Sequence, residues 1–584
     1  VRRRAQRWWL GMVLAATVLA TRWPLAPRQL FSFDDVNFAW AIGRFDVRDS
    51  QPHPPGYPLF VLQMRLLDVL RFKRAQSNLL ALSLLGSVAA LLLAVRFGNR
   101  FLGRDAGLCA AWLLALYPSF WYAGLTSAVR VQLAVVSLAA AAACYRAWRG
   151  EKRWVALSAL VLGLGAGVRP ELGAMLLPLW AGSALRARAR GRDWLLGLGL
   201  LAGSTLAWLV PTMVASGGPR VYLELCWKYL RDQAALTSPA FGADPVLWRT
   251  TVCRFLVWLL AGTPAWTLPL ALLWGGLRVR QGDPGRAAFL ALWLLPPAAF
   301  ALSVHVADAG QTLGMVPAVC LAGGWLVSRA ADRIAERPSR WHGLIWTLTA
   351  GTLAAALHFL SAGAALLVVP LVGLAAGWAM RQAPCTAPGC PPRSHAVAFL
   401  LGPALFLHLV MFLHPIWYYK GPPGVWHAVL EDLHSGLAFT TLEQVRTTAA
   451  VDDRALRAIR HLTEKHPRLA VILWERGLLS WRKAAYYYPY LPVVVLDRKT
   501  LAGPQQRVVT VWRGPRIEQR IEGQAPLRIP LPRGGRLVWL LNPKTDLPAR
   551  LREQFVVGQM DSVSFCDLPE TGGERRVGDF LLVW

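Results

Sequence analysis

Asp34 and Asp35 stand side by side in FSFDDVNFAWAIGRFDVRDSQPHPPGYPLF, residues 31–60. Two adjacent carboxylates can divide acid–base work. One takes a proton from an acceptor hydroxyl while the other orients it or holds a cation, and mutual repulsion with partial burial raises a pKa toward the working range. His53 follows in HPPGYP, residues 53–58, where each proline fixes its own φ and biases the residue before it toward extended backbone. The same residues also have a purely structural reading, in which FDD caps a surface helix and HPPGYP is a simple turn. Taken alone, the stretch leaves both open.

Three further places carry ionisable groups beside apolar runs. Arg130 ends YPSFWYAGLTSAVR (117–130), Arg169 and Glu171 lie in VRPE (168–171), and His305 and Asp308 lie in HVADAGQT (305–312). Arginines can stabilise the growing negative charge of a phosphate leaving group through charge-assisted hydrogen bonds, and a histidine can donate or act as an acid. Each also has a plainer role: Arg169 pairing with Glu171, Arg130 snorkelling to an interface, His305 as a satisfied loop residue. Arg44 and Arg48 are expected to balance Asp46 and Asp49. Trp121 and Tyr122 could stack on a sugar, but interfacial belts are the commoner use of such residues. The aromatic run KAAYYYPYLP (483–492) reads as core and docking surface in preference to an acceptor platform.

The elements that must position these groups are membrane helices. The 584 residues are 55% hydrophobic and 16% charged, with 28 tryptophans, and the mean hydropathy is +0.37. Those values lie outside the usual range of a soluble globular chain. Apolar runs of bilayer length lie near 8–24, 77–95, 106–122, 128–145, 154–168, 172–185, 193–213, 251–277, 287–304, 311–328, 341–360, 362–380 and 395–414, about thirteen spans. The net charge of +30 is not a nucleic-acid footprint, because its basic residues fall in short bursts between the runs. With a cytoplasmic N-terminus, alternation puts seven bursts carrying 24 Lys/Arg on one side, and the positive-inside rule makes that side cytoplasmic. This requires PLFVLQMRLLDVL (58–70) not to cross, consistent with its shortness and with Arg65 and Asp68 inside it. Residues 25–76 are then the first external loop, and Asp34, Asp35, His53, Arg130, Arg169, Glu171, His305 and Asp308 share the external face.

From about residue 416 the chain changes character. Strand-like runs appear in LAVILW (469–474), LPVVVLD (491–497), RVVTVW (507–512) and RLVWLL (536–541), after a helical DDRALRAIRHLTEKH (452–466). We read 416–584 as an external soluble α/β domain, without a phosphate-binding glycine fingerprint, after a membrane domain over 1–415. The first apolar run lacks a small-x-small cleavage site and reads as a retained anchor. The eight cysteines are scattered, and Cys385 and Cys390 have no second pair at zinc-site spacing.

A short basic N-terminus, one span, a loop with an acidic pair, an HPPGYP-like turn and a many-span bundle together resemble the GT-C superfamily of membrane glycosyltransferases. The likeness is to the bacterial family-39-like enzymes related to protein O-mannosyltransferases and aminoarabinose transferases. FDDVNFAWAI and QPHPPGYPLF carry most of it, VRPE and HVADAGQTL less, and it covers roughly residues 1–415. The resemblance implies an α-helical GT-C-like bundle that moves a sugar, with inversion, from a polyprenyl-phosphate carrier to an acceptor hydroxyl of a lipid, glycan or protein. It also implies a bacterial plasma membrane, with residues 416–584 periplasmic. The loop aspartate falls on Asp34 or Asp35, which spacing does not separate, and the donor-binding candidates are His53, Arg130, Arg169 and His305. The second residue of the pair is glutamate in many relatives, which leaves the acceptor open. A divalent cation is neither required nor excluded. A transporter or flippase, or a non-catalytic scaffold for a lipid-linked sugar, is the competing class; the crowding of polar groups at one face and the lack of matched broken helices favour the enzyme.

Overall fold

The computed structural model describes residues 2–70, 74–263, 284–336, 393–413, 425–465, 468–474, 481–498, 506–524, 526–531, 536–540, 557–560, 563–568, 573–577 and 580–584. The expected spans at 341–360 and 362–380, the end of the 251–277 span and the Cys385/Cys390 loop lie outside these residues. The chain packs as two compact units. One comprises Val1–Ala26, Tyr57–Val214 and Gly218–Val445; the other comprises Pro27–Gly56, Ala215–Gly217 and Arg446–Trp584.

The first unit is helical, as uninterrupted apolar sequence requires where lipid offers backbone groups no partner. Among the described residues five helices are long and apolar enough to cross a membrane: Ala75–Phe101, Ala128–Trp148, Gly191–Ala215, Pro284–Ser303 and Ala396–Leu413. The chain is thus a multi-pass membrane protein. The run at 106–122, expected as one span, is broken into two helices, Arg104–Leu116 and Pro118–Thr126, bent by 55°, which together have the length and apolar composition of a span. Pro118 supplies the reason, since it has no N–H to continue the ladder. The buried Arg22 guanidinium donates through Nη2 to the Ala115 carbonyl at 2.9 Å, one of the acceptors that the break strands. The 311–328 run also departs from expectation, opening as a 3-10 turn, Ala309–Gly314, before the helix Val316–Glu336. Pro58–Val69 is a helix of 12 residues. At about 1.5 Å per residue its length of about 18 Å falls short of the roughly 30 Å hydrocarbon core.

Small residues bring these helices together. A Cβ on Gly98 would come within 2.5 Å of the Gly107 Cα, so the helices of Gly98 and Gly107 meet backbone to backbone. Buried polar groups add directional ties: Trp293 Nε1 donates to Ser137 Oγ at 2.7 Å, and Ser137 Oγ donates to the Gly314 carbonyl at 2.5 Å. The 309–314 turn is thereby fixed against the Ala128–Trp148 helix.

In the second unit the four strand-like runs are adjacent strands. The strands are β1 (Leu469–Trp474), β2 (Pro492–Arg498), β3 (Gln506–Arg513), β4 (Arg516–Gln524), β5 (Leu527–Pro530), β6 (Arg536–Leu540), β7 (Val557–Met560), β8 (Val563–Leu568), β9 (Glu574–Val577) and β10 (Phe580–Val583). One sheet runs β4-β3-β2-β1-β6-β8-β7 and a second runs β5-β10-β9. β1 is parallel to β2 and β6, and the outer pairs are antiparallel. Alternation sets the core: Ala470, Ile472, Val494, Leu496, Val509 and Trp539 cluster with Leu527, Ile529, Phe580 and Leu582 of the smaller sheet. The helix Trp481–Tyr487 connects β1 to β2 and packs on β2.

Candidate active site

Within the second unit, Ser32 begins the helix Phe33–Gly43. The Ser32 hydroxyl accepts from Asp35 N at 3.0 Å. In return Asp35 Oδ2 accepts from Ser32 N at 2.9 Å and from Phe31 N at 3.2 Å. The two residues form a reciprocal capping box. Asp35 is therefore turned back onto the backbone and is only 4% exposed. Burial pushes its carboxyl up to about 6, opposed by the hydrogen bonds from Ser32 and by Lys483, and helped by the charge of Asp34. Asp34 points the other way. Its side chain is 34% exposed, and its Oδ1 lies 3.4 Å from His53 Nδ1. The two carboxylates that the sequence leaves equivalent thus have different geometry: one is committed to the helix end, and one is presented beside a histidine.

His53 is buried at a tight turn, closed by Gly56 N donating to the His53 carbonyl at 3.0 Å. Gly56 has a φ of 108°, in the region that favours glycine. Asn37 Nδ2 also approaches His53 Nδ1, at 3.5 Å. Further along the loop Asp46 is knotted by Arg48 and Arg44 at 2.7 and 2.8 Å, with Arg44 also on Asp49 at 3.1 Å, as the charge balance suggests. Those hydrogen bonds and charges hold the Asp46 carboxyl below its ordinary value against the desolvation of its burial.

Residues far down the chain, Lys483 and Tyr487 of the 483–492 run among them, hold this loop to the sheet. Arg482 donates to Asn37 Oδ1, and Lys483 donates to the Phe31 carbonyl at 2.5 Å and pairs with Asp452. Leu30 N donates to Tyr487 Oη at 2.9 Å, Gln51 Nε2 to the Pro515 carbonyl at 2.7 Å, and Trp40 stacks on Trp512 at 6.4 Å between centroids. The 483–492 run is accordingly docking surface. The available signal was WRK at 481–483, two basic residues next to an aromatic run, directly before a strand.

Within the first unit the other candidates converge. Arg130, in the first turn of Ala128–Trp148 and 8% exposed, donates through Nη2 to Asp308 Oδ2 at 2.6 Å. Asp308 is held by its place at the start of the 309–314 turn, where Gln311 Oε1 accepts from Ala307 N and Asp308 N. A Cβ at Gly310 would sit 2.5 Å from Arg130 Cγ, so the AGQ sequence lets the turn pass the arginine. Arg169 lies between helices Arg153–Val168 and Pro170–Arg186, extended as a residue before proline tends to be. It pairs with Glu171 and lies over the Tyr57 ring at 5.3 Å. His305 Nδ1 is 3.0 Å from Thr237 Oγ1. Burial first, then the charge of Arg130, lowers the His305 pKa; Asp308 opposes and Arg169 adds a little, so the ring is neutral at pH 7.

The electrostatics couple Tyr57, Arg130, Arg169, Glu171, Tyr229, His305 and Asp308 into one cluster. Each arginine has a carboxylate partner, yet Arg130 Nη1 is buried and has no hydrogen-bond partner among the described residues. A buried, unsatisfied guanidinium donor costs about 1–3 kcal/mol, a cost that an anion there would remove. Among the described residues no three His, Cys, Asp or Glu side chains come together as a metal site.

No family model matches the chain, and no curated protein matches it in sequence. Solved structures do. The crystal structure of ArnT from Cupriavidus metallidurans in the apo state superposes with a TM-score of 0.56 at 14% identity, covering 97% of this chain and 98% of that one. The structure of the same protein bound to undecaprenyl phosphate gives 0.55 at 14% identity, covering 96% and 97%. The likeness runs beyond residue 415, where the sequence resemblance ends, and the chain has the fold of ArnT over nearly its whole length.

Proposed function

We propose that the chain is a membrane glycosyltransferase that takes a sugar from a polyprenyl-phosphate carrier and transfers it, with inversion, to an acceptor hydroxyl at the external face. The observation that carries this reading is the division of labour within the acidic pair: Asp35 closes a capping box, and Asp34 is left half-presented beside His53. The fold likeness to ArnT, one of whose structures holds undecaprenyl phosphate, supports the donor class.

In this reading Asp34 accepts the proton of the acceptor hydroxyl as its oxygen attacks the anomeric carbon. The anomeric C–O bond to the phosphate breaks, and its electron pair leaves with the carrier phosphate, which gains a negative charge. Arg130, through its unsatisfied Nη1, and Arg169 stabilise that charge, and neutral His305 donates a hydrogen bond. His53 sits with the base. The acceptor class, whether lipid, glycan or protein, is left open. We further propose the topology read from the charge bursts: a bundle of about thirteen spans over 1–415, a cytoplasmic N-terminus, and residues 416–584 as an external domain of a bacterial plasma membrane protein.

The test is sugar transfer by purified full-length protein in lipid, from a panel of radiolabelled polyprenyl-phosphate sugars with a cell-envelope extract as acceptor. Wild type should transfer from at least one donor with inverted anomeric configuration. Asp34→Asn should lose about 10²-fold or more in kcat, the usual size of a general-base contribution. Asp35→Asn keeps an oxygen for the cap and should stay within a few-fold. No transfer from any donor, or equal transfer by Asp34→Asn, would refute the assignment.

A further inference from the structure

We propose that Arg482 is a positioning residue for the Asp34–His53 pair, acting through the side-chain amide of Asn37; this rests on the reading of Asp34 as the base. Arg482 is buried, with its guanidinium carbon 4.1 Å from the Phe33 ring centroid, 4.8 Å from Trp481 and 5.5 Å from Trp512. Three rings on a planar cation fix its orientation as well as its place. The fixed guanidinium donates to Asn37 Oδ1, 445 residues away in sequence.

That contact settles which way Asn37 faces. Arginine has donors only, so Asn37 must turn its oxygen to Arg482 and its Nδ2 to His53. Nδ2 lies 3.5 Å from His53 Nδ1, and an amide N–H there favours a ring nitrogen carrying a lone pair. The ring tautomer this favours carries its proton on Nε2. In that tautomer Nδ1 has no proton to give to Asp34 Oδ1, 3.4 Å away. A ring protonated at Nδ1 would instead donate to Asp34 and make its carboxylate a weaker base toward the acceptor's proton. Charged groups on the elements about His53 include Asp34 and, through Asn37, Arg482, with Asp35 and Lys483 one position further along the same two elements and Asp452 paired with Lys483. Arg482 thus keeps Asp34 competent without touching a reacting atom, and residues far down the chain tune the base in the first loop.

The discriminating variant is Asn37→Asp in the full chain in lipid. Aspartate keeps the volume and the acceptor for Arg482 but replaces the donor facing His53 with an acceptor. We expect kcat to fall about tenfold or more with the donor KM unchanged. The His53 titration, followed by 15N-histidine NMR and assigned with His53→Gln, should rise by about one unit, with the acid limb of the pH–rate profile following it. Arg482→Lys keeps the charge and most of the stem but lacks the planar fork, and should move the His53 titration from its wild-type position. A His53 titration and a pH profile equal to wild type in both variants would overturn the proposal, as would a shifted titration with unchanged kcat. If no donor supports turnover by wild type, the proposed reaction falls, and the role of Arg482 still stands or falls on the titration.

Discussion

Two neighbouring aspartates with the same intrinsic acidity come to differ because one caps a helix and the other does not. Asp35 is buried with its carboxyl pushed up to about 6, so the folded state binds a proton more tightly than the unfolded chain, whose aspartate titrates near about 3.9. Stability that depends on Asp35 is therefore present below about pH 4 and is lost as the pH rises through about 6. Hydrogen-exchange protection factors of the Phe33–Gly43 amides should fall over that window in wild type, and Asp35→Asn should flatten the dependence. His305 has the opposite sign. Its folded pKa lies below the ordinary histidine value, so its contribution is full at pH 7 and is lost as the pH falls below about 6.5. Hydrogen-exchange protection factors around the 309–314 turn should fall on acidification, and His305→Gln should remove that trend. Legibility here was uneven. The FDD stretch and His53 stand out as chemistry in the sequence, yet the pair looks symmetric until Ser32-x-x-Asp35 is recognised as a capping-box pattern. That signature was present and separates the two residues.

Local periodicity made the regular elements readable and left their partners hidden. The four apolar strand runs are the contiguous β3-β2-β1-β6 of the large sheet, because strands buried on both faces read as continuous hydrophobic sequence. β4, RIEQRIEGQ, is exposed along most of its length and carries no such signal. The short helix Trp481–Tyr487 offered only WRK and its aromatic run as signals, since the loop residues it holds lie hundreds of positions away. Its Lys483 pairs with Asp452 in a buried setting, where burial raises the Asp452 carboxyl against the pull of the lysine. Removing one member of a buried pair typically costs about 3–5 kcal/mol. Lys483→Met should therefore loosen the 27–56 loop, read as faster proteolytic cleavage there, and Asp452→Asn in the same chain should recover part of the loss. On the other element, Gly310→Ala places a methyl where Arg130 Cγ lies. It should weaken donor binding about tenfold, checked by titrating carrier phosphate, with the Ala128–Trp148 helix intact.

For the molecule as a whole, hydropathy already gives the multi-pass class. Five helices among the described residues meet the length and composition for crossing, and the broken pair at Tyr117 shows why counting apolar runs overstates continuity. A proline and an arginine from a distant helix end decide that break, and neither is visible as a break in a hydropathy average. The likeness to ArnT over 97% of the chain at 14% identity indicates that the fold outlasts most side-chain identities. The most direct measurement is a paired one on Asp34→Asn and Arg130→Gln in lipid, with donor affinity and kcat measured separately. If Asp34 is the base and Arg130 holds the phosphate, Asp34→Asn loses kcat about 10²-fold or more with donor affinity unchanged. Arg130→Gln then loses donor affinity about 10–100-fold, the worth of a charge-assisted bond. Turnover by Asp34→Asn at the wild-type rate would contradict the central assignment.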